Sequence, residues 1–106
     1  MIQVRTQTPE FICDIGDMLR LFLGDVQVAE AAHSADYAHR VERCGETVAD
    51  IWRCGEKTAR LERPAPVGTD IVVRRARKRQ VKQALYELLK ETTGMQPPWG
   101  SLTGIR

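Results

Sequence analysis

Three groups of residues in this 106-residue chain could do chemistry: three cysteines, two histidines and a run of basic side chains. Cys44 and Cys54 occupy matching places in a short repeat, Arg43-Cys44-Gly45-Glu46 and Arg53-Cys54-Gly55-Glu56. If each copy makes a tight turn of a meander, the two thiols fall at opposite ends of the sheet. About seven strand residues at ~3.3 Å each separate them by roughly 20 Å. Neither a disulfide nor a shared metal ion spans that distance. Cys13 stands beside Phe11 and Ile12, where a free thiol is expected to serve as a small core hydrophobe. The spacings of a metal or cluster site are absent, so no metal ligand is expected within the chain.

His33 and His39 flank a loop and a strand. A Cys44–His39–Asp36 grouping can be drawn, but nothing in the spacing fixes its geometry, and both histidines are expected as surface polar groups. There is no G-x-S-x-G, no G-x-x-x-x-G-K-[ST], and no G-x-G-x-x-G after a strand. No catalytic and no cofactor-binding residue is expected.

The basic run is the one electrostatic feature that supports a hypothesis. Six of the nine residues from Arg74 to Lys82 are basic. On a helix at ~100° per residue, Arg74, Arg75, Lys78, Arg79 and Lys82 share an arc of about 140°. Such a stripe is a solvated face, a docking surface for a larger protein, or a track for a phosphate backbone. Few aromatic residues are left over to stack on bases, which weakens the nucleic-acid reading. Arg77 falls on the apolar side of the same helix. It either snorkels to solvent, lies before a later helix start, or pairs with an acid from a neighbouring element.

The elements that would position these groups follow from pattern. Ile2, Val4 and Thr6 alternate with polar residues, as in a half-buried strand. Thr8 is an expected N-cap and Pro9 suits a first helical turn. Phe11, Ile12, Ile15, Met18, Leu19, Phe22 and Leu23 recur at steps of three and four, the stripe of a packed helix, and Gly24 ends it. Val26 and Val28 suggest a strand. Tyr37 to Glu42, Val48 to Trp52 and Thr58 to Glu62 read as three antiparallel strands joined by the two glycine turns. Pro64, Pro66 and Gly68 mark a loop. A second helix runs from about Thr69 or Asp70 to Thr93, with Val73, Val81, Ala84, Leu85, Leu88 and Leu89 on its apolar side and Gly94 as its stop. The predicted fold is α+β: an antiparallel meander sheet of four to five strands with both helices packed on one face.

Composition bounds the rest. Hydrophobic residues make up 42% and charged residues 28%, with a net charge of +2, which is ordinary for one globular domain. No run of 18 apolar residues occurs and the N-terminus has no secretory pattern. With an odd number of cysteines, free thiols in a reducing cytoplasm are the expected state.

The end of the chain carries a specific signal. Leu85-Tyr86-Glu87-Leu88-Leu89, Thr93-Gly94, and then Pro98-Trp99-Gly100-Ser101-Leu102-Thr103-Gly104-Ile105-Arg106 resemble a segment of the oxygen-independent coproporphyrinogen III dehydrogenases. In that family a helix ending in T-G leads into P-W-G-x-L-T-G-I-R. The resemblance implies a parent protein of the radical-SAM type, with a [4Fe–4S] cluster and S-adenosylmethionine. Its reaction would be the oxidative decarboxylation of two propionates of coproporphyrinogen III in haem synthesis. The family's C-x-x-x-C-x-x-C motif lies downstream of this segment, and Cys13, Cys44 and Cys54 do not match it. Residues 1–94 are therefore expected as an accessory domain. Residues 95–106 are expected as an exit segment to a radical-SAM domain, the anticipated partner. Within that segment Pro98, Trp99, Gly100, Leu102, Thr103, Gly104 and Arg106 are candidate interdomain contacts. A stand-alone module that binds RNA or protein through the basic helix 74–82 is the alternative; a membrane partner is not expected.

Overall fold

A computed structural model describes residues 1–94. The elements run β1 (Ile2–Arg5), a 3-10 turn (Pro9–Phe11), α1 (Ile12–Leu23), β2 (Val28–Glu30), β3 (Tyr37–Cys44), β4 (Thr47–Cys54), β5 (Lys57–Pro64) and α2 (Asp70–Thr93). The α+β class is as predicted. The sheet is not a pure meander, however: its five strands lie in the order β2-β1-β3-β4-β5. Only β3, β4 and β5 form antiparallel hairpins. β1 lies between β2 and β3 and is parallel to both. The reason is the connection. α1 carries the chain back across the sheet, so β2 starts at the same end as β1. Backbone bonds pin the return, with Ala31 N donating to Val4 O and Asp36 N to Gln3 O, both at 2.8 Å.

The glycine repeat works as read. Gly45 and Gly55 have φ of +65° and +62° and open two-residue turns between Cys44 and Thr47 and between Cys54 and Lys57. A positive φ at the first central position is what a type II′ turn demands, and the twist of that turn suits a hairpin. The strands are longer than predicted, so both cysteines end strands instead of sitting in turns. They still lie at opposite ends of the hairpin.

Both helices cover one face of the sheet. Val4, Tyr37 and Trp52 from the sheet meet Ile15, Leu19 and Phe22 from α1 and Val81, Leu85 and Leu88 from α2 in a single core. Phe22 and Tyr86 meet edge to face across the helix pair, 5.6 Å between centroids. Two local expectations are corrected. Thr8 makes no side-chain cap; the α-helix starts later, at Ile12, after the 3-10 turn that follows Pro9. Cys13 is exposed, because it falls one step outside the apolar stripe of α1. α2 is capped by Thr69, whose Oγ1 accepts from Val72 N at 3.5 Å, and closed by Gly94 at φ +68°.

The other sheet face is uncovered by either helix. Its cross-strand rows follow the register: Arg5, Ala38, Arg53 and Thr58; then Arg40, Ile51 and Arg60; then Glu42, Ala49 and Glu62.

Candidate functional site

A chain of polar groups crosses the core between the sheet and α2. His39 is 3% exposed and Asp50 1%, although both lie on core-facing strand positions where apolar residues would be expected. His39 Nε2 lies 2.8 Å from Asp50 Oδ1, and His39 Nδ1 lies 2.8 Å from Thr6 Oγ1. Thr6 Oγ1 also accepts from Thr8 N at 2.9 Å. Asp50 as an acceptor requires Nε2–H to donate, and with Nδ1 accepting the Thr6 hydroxyl the neutral ring satisfies every partner. The imidazole lies against Trp52, with centroids 4.7 Å apart and planes 20° apart. Trp52 Nε1 in turn donates to Val81 O at 3.1 Å.

Arg77 completes the chain. Its two terminal nitrogens donate to the two Asp50 oxygens, each at 2.8 Å. The same guanidinium reaches Gln80 Oε1 at 2.9 Å, and Gln80 Nε2 donates to Pro64 O at 2.9 Å. Of the three readings of Arg77, pairing with an acid from a neighbouring element is the one that holds. Burial by itself would raise the Asp50 carboxyl; the hydrogen bonds and charge of Arg77, with the His39 N–H, outweigh it and hold the group below its ordinary value. No buried side-chain nitrogen or oxygen among the described residues lacks a partner.

Thr6, His39 and Asp50 thus form a hydroxyl–imidazole–carboxylate relay, the order of groups used by hydrolases. Its geometry does not serve nucleophilic attack. Asp50 spends both oxygens on Arg77, and the Thr6 hydroxyl oxygen is already held by Thr8 N. With Arg77, the relay ties the segment after β1 to β3, β4 and α2. His39 is therefore a buried structural group, which corrects its expected place on the surface. The Cys44–His39–Asp36 grouping, which the spacing did not support, does not form: Asp36 Oδ2 accepts from Gln3 N at 2.8 Å, and Cys44 ends β3 on exposed ground.

The basic stripe of α2 divides in two. Arg74 and Lys78 turn toward α1: the Arg74 guanidinium lies 5.8 Å from the Phe11 ring centroid, and Lys78 Nζ is 3.8 Å from Asp14 Oδ1. Arg75, Arg79 and Lys82 have no carboxylate partner among the described residues. Together with Lys78 they line a shallow depression of about 260 Å³. One turn earlier on α2 stand Ile71 and Val72, 65% and 51% exposed, and Val67 precedes them at 85%. Sequence pattern does not flag this apolar group, because Ile71 and Val72 fall outside the apolar stripe of α2.

Among the described residues no group of three or more His, Cys, Asp or Glu is placed to hold a metal ion. Cys13 is on α1, while Cys44 and Cys54 end successive strands, so these thiols do not fit an iron–sulfur cluster. Cys54 instead neighbours the Tyr37 hydroxyl. Burial, and then Cys54, push that phenol up to about 12. No helix of the described residues is long and apolar enough to cross a membrane. Pro98, Trp99, Gly100, Leu102, Thr103, Gly104 and Arg106 lie outside the described residues. No family model, curated protein or solved structure matches the chain.

Proposed function

We propose that residues 1–94 are the non-catalytic N-terminal domain of a radical-SAM protein resembling the coproporphyrinogen III dehydrogenases, and that residues 95–106 lead from it to the catalytic part. The observation that carries this reading is the run Pro98-Trp99-Gly100-Ser101-Leu102-Thr103-Gly104-Ile105-Arg106, which begins four residues after a helix closed by Thr93-Gly94. Two features support it. The groups best suited to chemistry, His39 and Asp50, are consumed by core contacts. In addition, the loop before α2 and its first turn present exposed Val67, Ile71 and Val72 on the way to Arg75, Arg79 and Lys82, an apolar and basic strip suited to an acidic-rimmed surface of the parent. In this reading the cluster and S-adenosylmethionine are held by the parent's own cysteine motif.

The reading frame beyond the Arg106 codon tests this directly. A continuing frame with C-x-x-x-C-x-x-C is the expected result; an immediate stop codon overturns it. Anaerobic reconstitution of the chain with iron and sulfide should give no cluster absorption, and a band that disappears on replacing the cysteines would contradict the assignment.

A second reading, RNA binding by α2, is favoured only by the unpaired Arg75, Arg79 and Lys82. It is the weaker one because, among the described residues, Phe11, Phe22, Tyr37 and Trp52 are buried in the core and only the part-buried Tyr86 remains as an aromatic surface for base stacking. Salt-dependent RNA binding at about 50 mM salt, lost when those three residues are neutralised, would revive it.

A further inference from the structure

We infer that the uncovered face of the sheet holds a small-anion site, with Arg5 and Arg53 as its clamp and Ala38 and Ile51 as its floor. The register places Arg5, Ala38 and Arg53 in one cross-strand row. Two strand spacings set the arginine backbones about 9.5 Å apart, and the methyl of Ala38 leaves the space between them open. Two depressions meet at this row. One, of about 470 Å³, is bounded by Arg5, Arg40, Arg53, Gln7 and Thr58 over Ala38 and Ile51, and the His39 ring lies on the other side of the sheet. The other, of about 370 Å³, shares Arg5, Ala38 and Arg53.

Charge on this face is balanced everywhere except at that row. Arg40 pairs with Glu42 at 2.7 Å, and Arg60 pairs with Glu62 at 3.1 Å and Glu42 at 3.9 Å. Arg5 donates to the backbone carbonyl of His33, not to a carboxylate. The Arg53 side chain is exposed, and among the described residues its guanidinium makes no hydrogen bond or ion pair. The larger depression has no carboxylate in its wall. In the smaller one the single carboxylate, Asp36, is turned to Gln3 N.

Two guanidiniums without counter-ions, flanking a small apolar floor, suit an oxyanion on a flat apolar body. The ligand class is an organic phosphate or carboxylate whose anionic group lies between Arg5 and Arg53 and whose body rests on Ala38 and Ile51. This assignment is independent of the α2 strip and of the proposed parent protein.

Amide-resolved NMR titration of the whole chain with phenyl phosphate, benzoate and inorganic phosphate tests it. Phenyl phosphate or benzoate should shift the amides around Arg5, Ala38 and Arg53, and the tighter of the two identifies the anionic group. R53Q should weaken binding about tenfold or more. A38F should block the floor while keeping both arginines, and R75Q with R79Q should change nothing. Both substituted sites of the first two variants face away from the core, and an unchanged core spectrum verifies their fold. Shifts centred on Arg75 and Arg79, binding indifferent to R53Q, or no binding of either organic anion would overturn the site. Equal binding of inorganic and phenyl phosphate would overturn the apolar floor.

Discussion

Arg77 reaches across from α2 to grip Asp50 on β4 with both terminal nitrogens, two parallel bonds of 2.8 Å to the two carboxylate oxygens. The side chains are 13% and 1% exposed, so the pair is screened from water and its loss leaves a buried charge without a partner. Asp50→Asn should destabilise the chain by about 3–5 kcal/mol. A thermal melt should show a drop of about 4–8 °C for each kcal/mol. The double variant Asp50→Leu with Arg77→Met should lose less than the single one, since it removes both charges together. Equal stability of Asp50→Asn and the parent chain would show that the fork contributes nothing.

Acid should unfold the protein through the same residue. The Asp50 carboxyl is held below its ordinary 3.8, so its contribution to stability is complete above that value and drains away as pH falls through the lower folded-state value. Urea midpoints from neutral pH downward should fall in that window and fall less in Asp50→Asn. A slope that persists unchanged in the variant would assign acid lability to other carboxylates. Glu62, held low by the Thr47 hydroxyl and then Arg60, is the nearest rival but is exposed.

The opposite end of the pH scale is set by Tyr37. Its phenol is pushed up to about 12 by burial and by Cys54. The folded state keeps this proton longer than the unfolded chain, so stability should decline as pH rises from the ordinary 10 toward 12. In a Tyr86→Phe background, tyrosinate absorbance should appear only well above the ordinary value. Ionisation near 10 in the folded protein would contradict the burial of this hydroxyl.

The three thiols should differ in rate. Cys13 and Cys44 are exposed and Cys54 is half-buried against the core. An aromatic disulfide reagent should therefore release two equivalents quickly and the third slowly. Cys54→Ser should remove the slow phase alone.

Backbone conformation gives the last test. Gly45, Gly55 and Gly94 all sit at positive φ with open space where a Cβ would be. Replacement by alanine should cost about 1 kcal/mol at each from backbone strain alone. Urea denaturation of the three variants reads this, and no loss at Gly55 would argue against the tight turn there.

Much of the architecture was legible because it is written locally. The apolar stripe of α1, the glycine turns and the Thr69-to-Gly94 helix each follow from the residues inside them. The place of β1 was not legible, since strand order depends on which edges meet after α1 returns the chain, and no side chain in Ile2–Arg5 states a partner. The polar chain left half a signal. Asp50 is a lone acid inside the apolar run Val48 to Trp52, and Arg77 is a lone base on the apolar side of α2. Each is costly alone, and together they cancel. His39 gave less warning, because neutral imidazole is compatible with both surface and core. The Arg5–Ala38–Arg53 row could not be seen at all before the register was known.

The opening residues act as a keystone. Because Ile2–Arg5 is wedged between its two neighbours, the short strand Val28–Glu30 is joined to the hairpins only through it. A message translated from the internal Met18 would therefore yield no trimmed version of this domain. It would lack Val4, Phe11 and Ile15 of the core and the strand that links Val28–Glu30 to the hairpins.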